Sequence, residues 1–192
     1  EDLSGITFLT FEGELDETQR GVLGRLSLGH VLFAREGALL SPLRSGNPGY
    51  FSADLSGILK YKGKTNERFT RLMINVGLFS SAFAQSHDTP LSLLDPMAGR
   101  GTTLYEGLMT GYNVAGIEKS GADVSEAVGF MLRYLKYHRL KHTHAKQSVG
   151  GGGKKGGVKH LIETADTIAH FKEGAPRTAT IAQGATGDAG AY

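Results

Sequence analysis

A glycine-containing turn near the middle of the chain constrains the fold more than any other feature of the sequence. Residues 95–103 read Asp-Pro-Met-Ala-Gly-Arg-Gly-Thr-Thr and follow a short apolar run, LSLLD, at 91–95. Helix-forming residues come next, Gly111 stands at the expected C-cap position, and a second apolar run occupies 112–117. The order of strand, turn, helix and strand predicts buried parallel strands joined by a right-handed crossover.

Apolar residues with helical spacing lie on both sides of this unit. The helix before it is predicted to begin at Thr65 or Asn66, and its apolar positions are Phe69, Leu72, Met73, Val76, Phe79 and Phe83. The helix after it is longer, and one of its faces carries Val124, Ala127, Val128, Met131, Leu135 and His138. Residues 178–184 predict a third buried strand, followed by a turn, ATGDAG. We therefore predict an α/β domain with a parallel sheet.

The first 50 residues form a different pattern, which predicts a small α+β segment. Alternating residues at 6–15 indicate a strand, and residues 17–26 indicate a short helix. One or two further strands are expected within 28–43, with a turn near 35–37. We therefore divide the chain into an N-terminal segment, 1–50, and a main domain, 51–192.

Residues 142–177 do not follow the strand–helix rhythm of the main domain. They are too many for an ordinary connection, and the run GGGGKKGG at 150–157 is typical of a flexible loop. We interpret 142–177 as a basic insertion rich in glycine and lysine. Its second half, 160–171, is expected to form a short helix or a hairpin.

Composition limits the class of protein and indicates a partner. The chain has no cysteine, no apolar run long enough for a membrane span and no secretory signal, which fits a cytoplasmic protein. The net charge is only +2, but residues 131–160 hold eight Lys or Arg and no acid. This asymmetry favours an anionic partner such as a nucleic acid, although a solvated helix face with a mobile loop is the alternative. The candidate nucleic-acid contacts are Arg139, Lys141, Lys154, Lys155 and Lys159.

The glycine turn and a downstream acid indicate a ligand that contains a nucleoside. Gly99 and Gly101 allow a tight turn and close approach of the backbone to a ligand. The helix that starts near Thr102 offers N–H groups to a carboxylate or phosphate. Glu118 lies 23 residues after Asp95, at the end of the next strand, where a carboxylate can accept both hydroxyls of a ribose.

The segment DPMAGRGTT, followed by GIE at 116–118, resembles methyltransferases that act on exocyclic amino groups of nucleic-acid bases. It is most similar to the tRNA guanine-N2 methyltransferases found with THUMP domains, and next to the DNA amino-methyltransferases. The resemblance covers roughly 58–140 and 178–190, and it implies a Rossmann-like fold with S-adenosylmethionine as cofactor. It implies that Glu118 holds the ribose, that Asp188 contacts the adenine and that the helix containing Phe69 flanks the cofactor. The turn residues implied to hold the methionine end are Asp95, Pro96, Met97, Gly99, Gly101, Thr102 and Thr103.

The resemblance implies methyl transfer to a base amine in tRNA or another RNA, with DNA as the alternative substrate. Those families also carry an Asn/Asp-Pro-Pro-Tyr/Phe clamp for the target base, and this sequence has no such tetrapeptide. We therefore expect a methyltransferase core that is incomplete at its C-terminus, and no catalytic residue can be named. Arg100 occupies a position where a small residue is common, and the sequence gives no reason for it.

Other functional classes are disfavoured by specific positions. A nicotinamide site would need glycine or alanine at position 104, which is Leu, and a Walker A loop would need glycine at 58, which is Ile. His138, His142 and His144 have no nearby acid in sequence, so no metal is predicted. A non-catalytic nucleotide- or RNA-binding module stays open as a second hypothesis, and the oligomeric state is not predicted.

Overall fold

The computed structural model describes residues 1–27, 29, 31–43, 49–84, 90–149 and 157–184. The chain divides into two compact units, Glu1–Pro48 and Gly49–Tyr192. The elements of the first unit are β1 (Asp2–Leu3), β2 (Ile6–Thr7), α1 (Glu17–Gly24), β3 (Leu32–Glu36) and β4 (Leu39–Leu43).

The first unit contains two antiparallel strand pairs, β1 with β2 and β3 with β4. Helix α1 begins in a capping box, in which Asp16 and Gln19 exchange side-chain bonds with each other's backbone N–H. The predicted helix and the predicted hairpin at 32–43 are thus confirmed. The predicted strand at 6–15 is wrong beyond Thr7, because alternation produces a strand only where a partner strand pairs with it, and Leu9 is exposed instead.

The second unit is built on a five-stranded mixed sheet. Its elements are α2 (Asp54–Gly57), α3 (Glu67–Phe79), β5 (Ser92–Asp95), α4 (Thr102–Thr110), β6 (Asn113–Glu118), α5 (Gly121–Tyr137), β7 (His142–Val149), β8 (Gly157–Thr164), α6 (Ile168–Lys172) and β9 (Arg177–Gln183). The strand order is β5-β6-β9-β8-β7. The expectation of an α/β fold is confirmed at this level.

Strands β5, β6 and β9 run parallel, as predicted, with Leu94 opposite Ala115 and Ala115 opposite Thr180. Strand β8 is antiparallel to both β9 and β7. The residues interpreted as an insertion therefore contribute two strands and the short helix α6 to the unit, rather than a segment apart from the sheet. The glycine- and lysine-rich run at 150–156 lies outside the described residues.

Helices α4 and α5 cover the sheet and form its hydrophobic core. A Cβ added at Gly107 of α4 would come within 2.7 Å of Val114 Cγ1 in β6, so glycine allows the helix to lie close to the strand. The hydroxyl of Tyr105 in α4 donates to the carbonyl of Ala127 in α5, at 3.1 Å, and joins the two helices. The predicted apolar face of α5 is confirmed as buried from Val124 to Leu135. Fully buried members of this core include Leu104, Leu108, Met131, Leu135, Ile162 and Ile181.

Two apolar segments are less buried than their sequences indicate. Strand β5 lies at the edge of the sheet, and Leu94 is 55% exposed, so the prediction of a buried strand is wrong here. Helix α3 is confirmed, with Asn66 as its N-cap, but its apolar stripe is exposed. The polar residues Thr70 and Arg71 face the unit instead. Thr70 is buried, and Arg71 forms an ion pair at 3.0 Å with Glu106, which is 1% exposed.

Among the described residues, no helix is both long and apolar enough to cross a membrane.

Candidate functional site

The predicted site lies where two neighbouring parallel strands end. Strand β5 ends at Asp95 and β6 ends at Glu118, and parallel strands place their carboxyl ends at the same edge of a sheet. The Asp95 carboxylate accepts the backbone N–H of Met97 at 2.9 Å and so bends the chain into the turn. The N–H of Ala98 then donates to the carbonyl of Ile117 at 2.9 Å, which fixes the turn against β6.

The two glycines of the turn are required for different reasons. Both have left-handed backbone angles, with φ of +52° at Gly99 and +91° at Gly101, which favour glycine. A Cβ at Gly101 would lie 3.1 Å from the ring of Tyr105, so packing also restricts this position. A Cβ at Gly99 would meet no atom of the described residues within 4 Å. The described residues therefore leave the space beside Gly99 free.

Glu118 joins the turn to the end of β6. One carboxylate oxygen accepts the N–H of Gly99 at 2.9 Å, and the other accepts the N–H of Ser120 at 2.7 Å. A carboxylate oxygen can accept more than one hydrogen bond, so each oxygen retains acceptor capacity for a ligand. The structure thus brings together the predicted glycine turn and the predicted acid, although they lie in different connections.

Arg100, which the sequence did not explain, ties the turn to helix α5. Its guanidinium lies 2.8 Å from Asp123 Oδ1 and 3.0 Å from Glu126 Oε2. The hydrogen bond from Arg100, followed by one involving Ser120, lowers the pKa of Asp123. The guanidinium also lies 4.7 Å from the ring centroid of Tyr61. The sequence signal that could have indicated this role is the acid pair with i,i+3 spacing at the start of α5.

The start of helix α4 adds polar groups to the same region. Its N-cap is Gly101, which has no side chain to satisfy the first N–H groups of the helix. Thr102 is 6% exposed, and its hydroxyl lies 3.3 Å from that of Tyr61. Tyr61 was not among the residues predicted for the site. Its position in an irregular segment gives no periodicity from which a contact could be inferred.

Two further predicted cofactor contacts, Phe69 and Met97, have exposed side chains. Phe69 lies in α3 and is 53% exposed. Met97 is also exposed, although its backbone takes part in the turn. Asp188, predicted to contact adenine, lies outside the described residues. Their roles as cofactor contacts stay predictions, as do those of Pro96 and Thr103.

Three of the predicted nucleic-acid contacts lie among the described residues, before or within the β7–β8 hairpin. Arg139 and Lys141 precede β7 and are exposed, whereas Lys159 pairs in register with Gln147 towards the far end of that strand. Lys141 and Gln147, the partner of Lys159, are six residues apart in extended chain, or roughly 20 Å. Lys154 and Lys155 lie outside the described residues. The described cations therefore form a line along the hairpin rather than one compact patch.

The three histidines considered for a metal lie in separate environments. Nε2 of His138 is 3.7 Å from Asp54, Nδ1 of His142 is 2.8 Å from the carbonyl oxygen of Leu140, and His144 contacts His160. Within the described part of the chain, no three potential ligands are grouped to hold a metal ion.

Comparison with known proteins gives no independent assignment. No protein-family model matches the chain, and neither a curated protein nor a solved structure matches it. Interpretation of the site depends on its own geometry and on the residues of its turn.

Proposed function

We propose that this chain binds S-adenosylmethionine between the glycine turn and Glu118, in a Rossmann-like methyltransferase domain. The observation that carries the proposal is the Glu118 carboxylate held by the backbone N–H groups of Gly99 and Ser120. Because both donors belong to the backbone, the carboxylate has a defined orientation before any ligand binds. Acceptor capacity on both oxygens suits the two neighbouring hydroxyls of a ribose.

The other end of the turn suits the amino-acid end of the cofactor. The first N–H groups of α4 follow Gly101, and the positive end of the helix dipole favours a carboxylate there. The open space beside Gly99 leaves room for the ligand between this helix and Glu118. The parallel strands β5, β6 and β9, which lie next to one another in the sheet, are compatible with such a domain.

The reaction we propose is methylation of an exocyclic amine on a nucleic-acid base. When bound, S-adenosylmethionine supplies a methyl group on a sulfonium, which an amine can attack in line. The residues of the turn and Glu118 would contribute by positioning, which can account for much of the rate enhancement of an enzyme. We assign cofactor binding, and no catalytic step, to these residues.

The proposed substrate is RNA, with tRNA the first candidate and DNA the alternative. The resemblance of the turn motif supports this choice. The described cations before and along the β7–β8 hairpin, of which Arg139 and Lys141 are exposed and Lys159 is half-buried, support contact with a phosphate backbone. The same hairpin also supports the second hypothesis, a non-catalytic RNA-binding module. Cofactor binding separates the two.

Calorimetry with S-adenosylhomocysteine tests cofactor binding. The wild-type chain should bind it, and Glu118→Gln should raise Kd by about 10-fold to 100-fold, because the amide NH2 cannot accept from a backbone N–H or from a ribose hydroxyl. Glu173→Gln, an exposed site after α6, is the matched control and should leave Kd unchanged. Absence of binding by the wild type would refute the proposal.

A gel shift with tRNA tests the nucleic-acid partner. Charge reversal by Lys141→Glu and Lys159→Glu should weaken the complex and reduce its dependence on salt. Unchanged affinity would contradict the assignment of the hairpin. Binding of tRNA by a chain that does not bind S-adenosylhomocysteine would favour the non-catalytic module.

A further inference from the structure

Tyr61 lies beside the glycine turn, although 41 residues separate it from Thr102 in the sequence. It belongs to the irregular segment between α2 and α3. Two contacts define its position: its hydroxyl is 3.3 Å from Thr102 Oγ1, and its ring centroid is 4.7 Å from the Arg100 guanidinium. Both contacts are with residues of the turn and the first residue of the following helix.

The hydroxyls of Tyr61 and Thr102 are close enough for both to donate a hydrogen bond to one ligand oxygen. Their separation of 3.3 Å exceeds the usual range of about 2.5–3.0 Å for a hydrogen bond between oxygens, so their mutual bond is weak. Each hydroxyl has a donor that can turn towards a ligand. Thr102 is almost fully buried, which limits competition from water. A ligand oxygen at this point can receive hydrogen bonds from both groups.

Arg100 is suited to hold Tyr61 rather than to bind the ligand itself. Its guanidinium already bonds to Asp123 and Glu126, which also neutralise its charge. A guanidinium over an aromatic ring is attracted to the negative face of the ring. Because the two acids fix the guanidinium, this contact restricts the orientation of the Tyr61 ring. The same pairing occupies the acids nearest the turn, so that they repel an incoming anion less.

We propose that Tyr61 donates a hydrogen bond to the carboxylate of the bound amino-acid moiety, and that Arg100 is the residue that positions Tyr61. This inference rests on the proposed function, since it assumes that S-adenosylmethionine occupies the site. It adds recognition of the carboxylate at the Thr102 end of the turn to recognition of the ribose at the Glu118 end. Tyr61 lies outside the DPMAGRGTT motif, and Arg100 stands at a position of that motif for which the resemblance gave no role.

Two probes that differ only by the carboxylate test the inference: S-adenosylmethionine and decarboxylated S-adenosylmethionine. Tyr61→Phe keeps the ring under Arg100 and removes the hydroxyl. It should raise Kd for S-adenosylmethionine about tenfold, the effect of losing one hydrogen bond to a charged group, and leave Kd for the decarboxylated probe unchanged. Tyr137→Phe, at the exposed far end of α5, is the matched control and should change neither value.

Arg100→Ala should give the same selective loss, because it releases the ring that carries the hydroxyl. Combined with Tyr61→Phe, it should cause a smaller selective loss than it causes alone, since the hydroxyl that it positions is already absent and only the release of Asp123 and Glu126 adds to the loss. Substitution of a residue with only a structural role would raise Kd for both probes together. Glu118→Gln should do the same, because both probes carry the ribose.

The outcomes are distinct from failure of the proposed function. Wild-type protein that binds neither probe refutes cofactor binding, and this inference with it. Wild-type protein that binds both probes equally, or a Tyr61→Phe variant that loses both equally or neither, overturns the inference and leaves cofactor binding intact. Loss confined to the probe that carries the carboxylate supports it.

Discussion

Replacement of Gly116 by alanine should destabilise the main unit, because the sheet has no room for a methyl group there. A Cβ at this position would lie 2.7 Å from the Cβ of Ala98 and 2.8 Å from Cδ1 of Leu104, closer than real Cβ contacts. Both neighbours are buried, so neither can move into solvent. Overpacking of a core costs about 1–3 kcal/mol. We expect about 2 kcal/mol, because the closest contact is with an atom fixed to the backbone of the glycine turn.

Urea unfolding at constant slope measures this change directly. A loss of about 2 kcal/mol corresponds to a fall in Tm of roughly 4–8 °C for a chain of this size. The matched control is Gly77→Ala in α3, where a Cβ would meet no atom within 4 Å. Alanine in an exposed helix interior should instead stabilise the protein by about 1 kcal/mol.

The same substitution should also reduce affinity for S-adenosylhomocysteine. The N–H of Ala98 donates to the carbonyl of Ile117, the residue after Gly116, and Ala98 directly precedes Gly99. If the new methyl group displaces Ala98, it also displaces the backbone of Gly99 that faces the ligand. A Gly116→Ala variant as stable as the wild type would refute the reasoning, because it would show that the turn is not packed tightly on β6.

Two further predictions concern the polar contacts around α3. Arg71→Ala leaves the buried Glu106 carboxylate without its ion partner and should lower the free energy of unfolding in urea by about 3 kcal/mol. The double variant Arg71→Ala with Glu106→Gln should recover part of this loss. Equal stability of the single and double variants would contradict the role of the ion pair. The hydrogen bond from Lys64 lowers the pKa of Glu67 to about 2, so the carboxylate contributes stability that is fully present above pH of about 4.5 and is lost as the pH falls through the folded pKa. The difference in unfolding free energy between wild type and Glu67→Gln should therefore be about 1 kcal/mol at pH 7, reduced by solvent screening, and should vanish only below pH of about 2. A difference independent of pH would show that the carboxylate is not involved.

The sequence predicts most elements of the main unit because their ends depend on local chemistry. The Asn66 side chain caps α3, and Gly111 ends α4 with a φ of +88°. The turn and Glu118 could also be related from sequence, because parallel strands joined by one helix place their ends together. These features need only the residues within or next to each element.

Features that depend on distant neighbours could not be predicted in this way. The run at 91–95 has the same composition whether its strand is central or at an edge, so the exposure of Leu94 follows only from the strand order. The role of Arg100 could be inferred only if one knew that Asp123 in α5, 23 residues later in the sequence, lies beside the turn. The exposed stripe of α3 reflects a buried ion pair, which hydrophobic spacing does not reveal.

The strand order has a consequence for how the sheet assembles. Strand β9 follows the other strands in sequence among the described residues, yet it lies between β6 and β8. The β7–β8 hairpin is local and can form early, but it joins the parallel strands only through β9, whose contacts with β6 span 65 residues. Until residues 177–183 leave the ribosome, β6 and β8 have no strand through which to join one sheet. Closure of the sheet should therefore be slow and late, limited by the pairing of β9 with both β6 and β8.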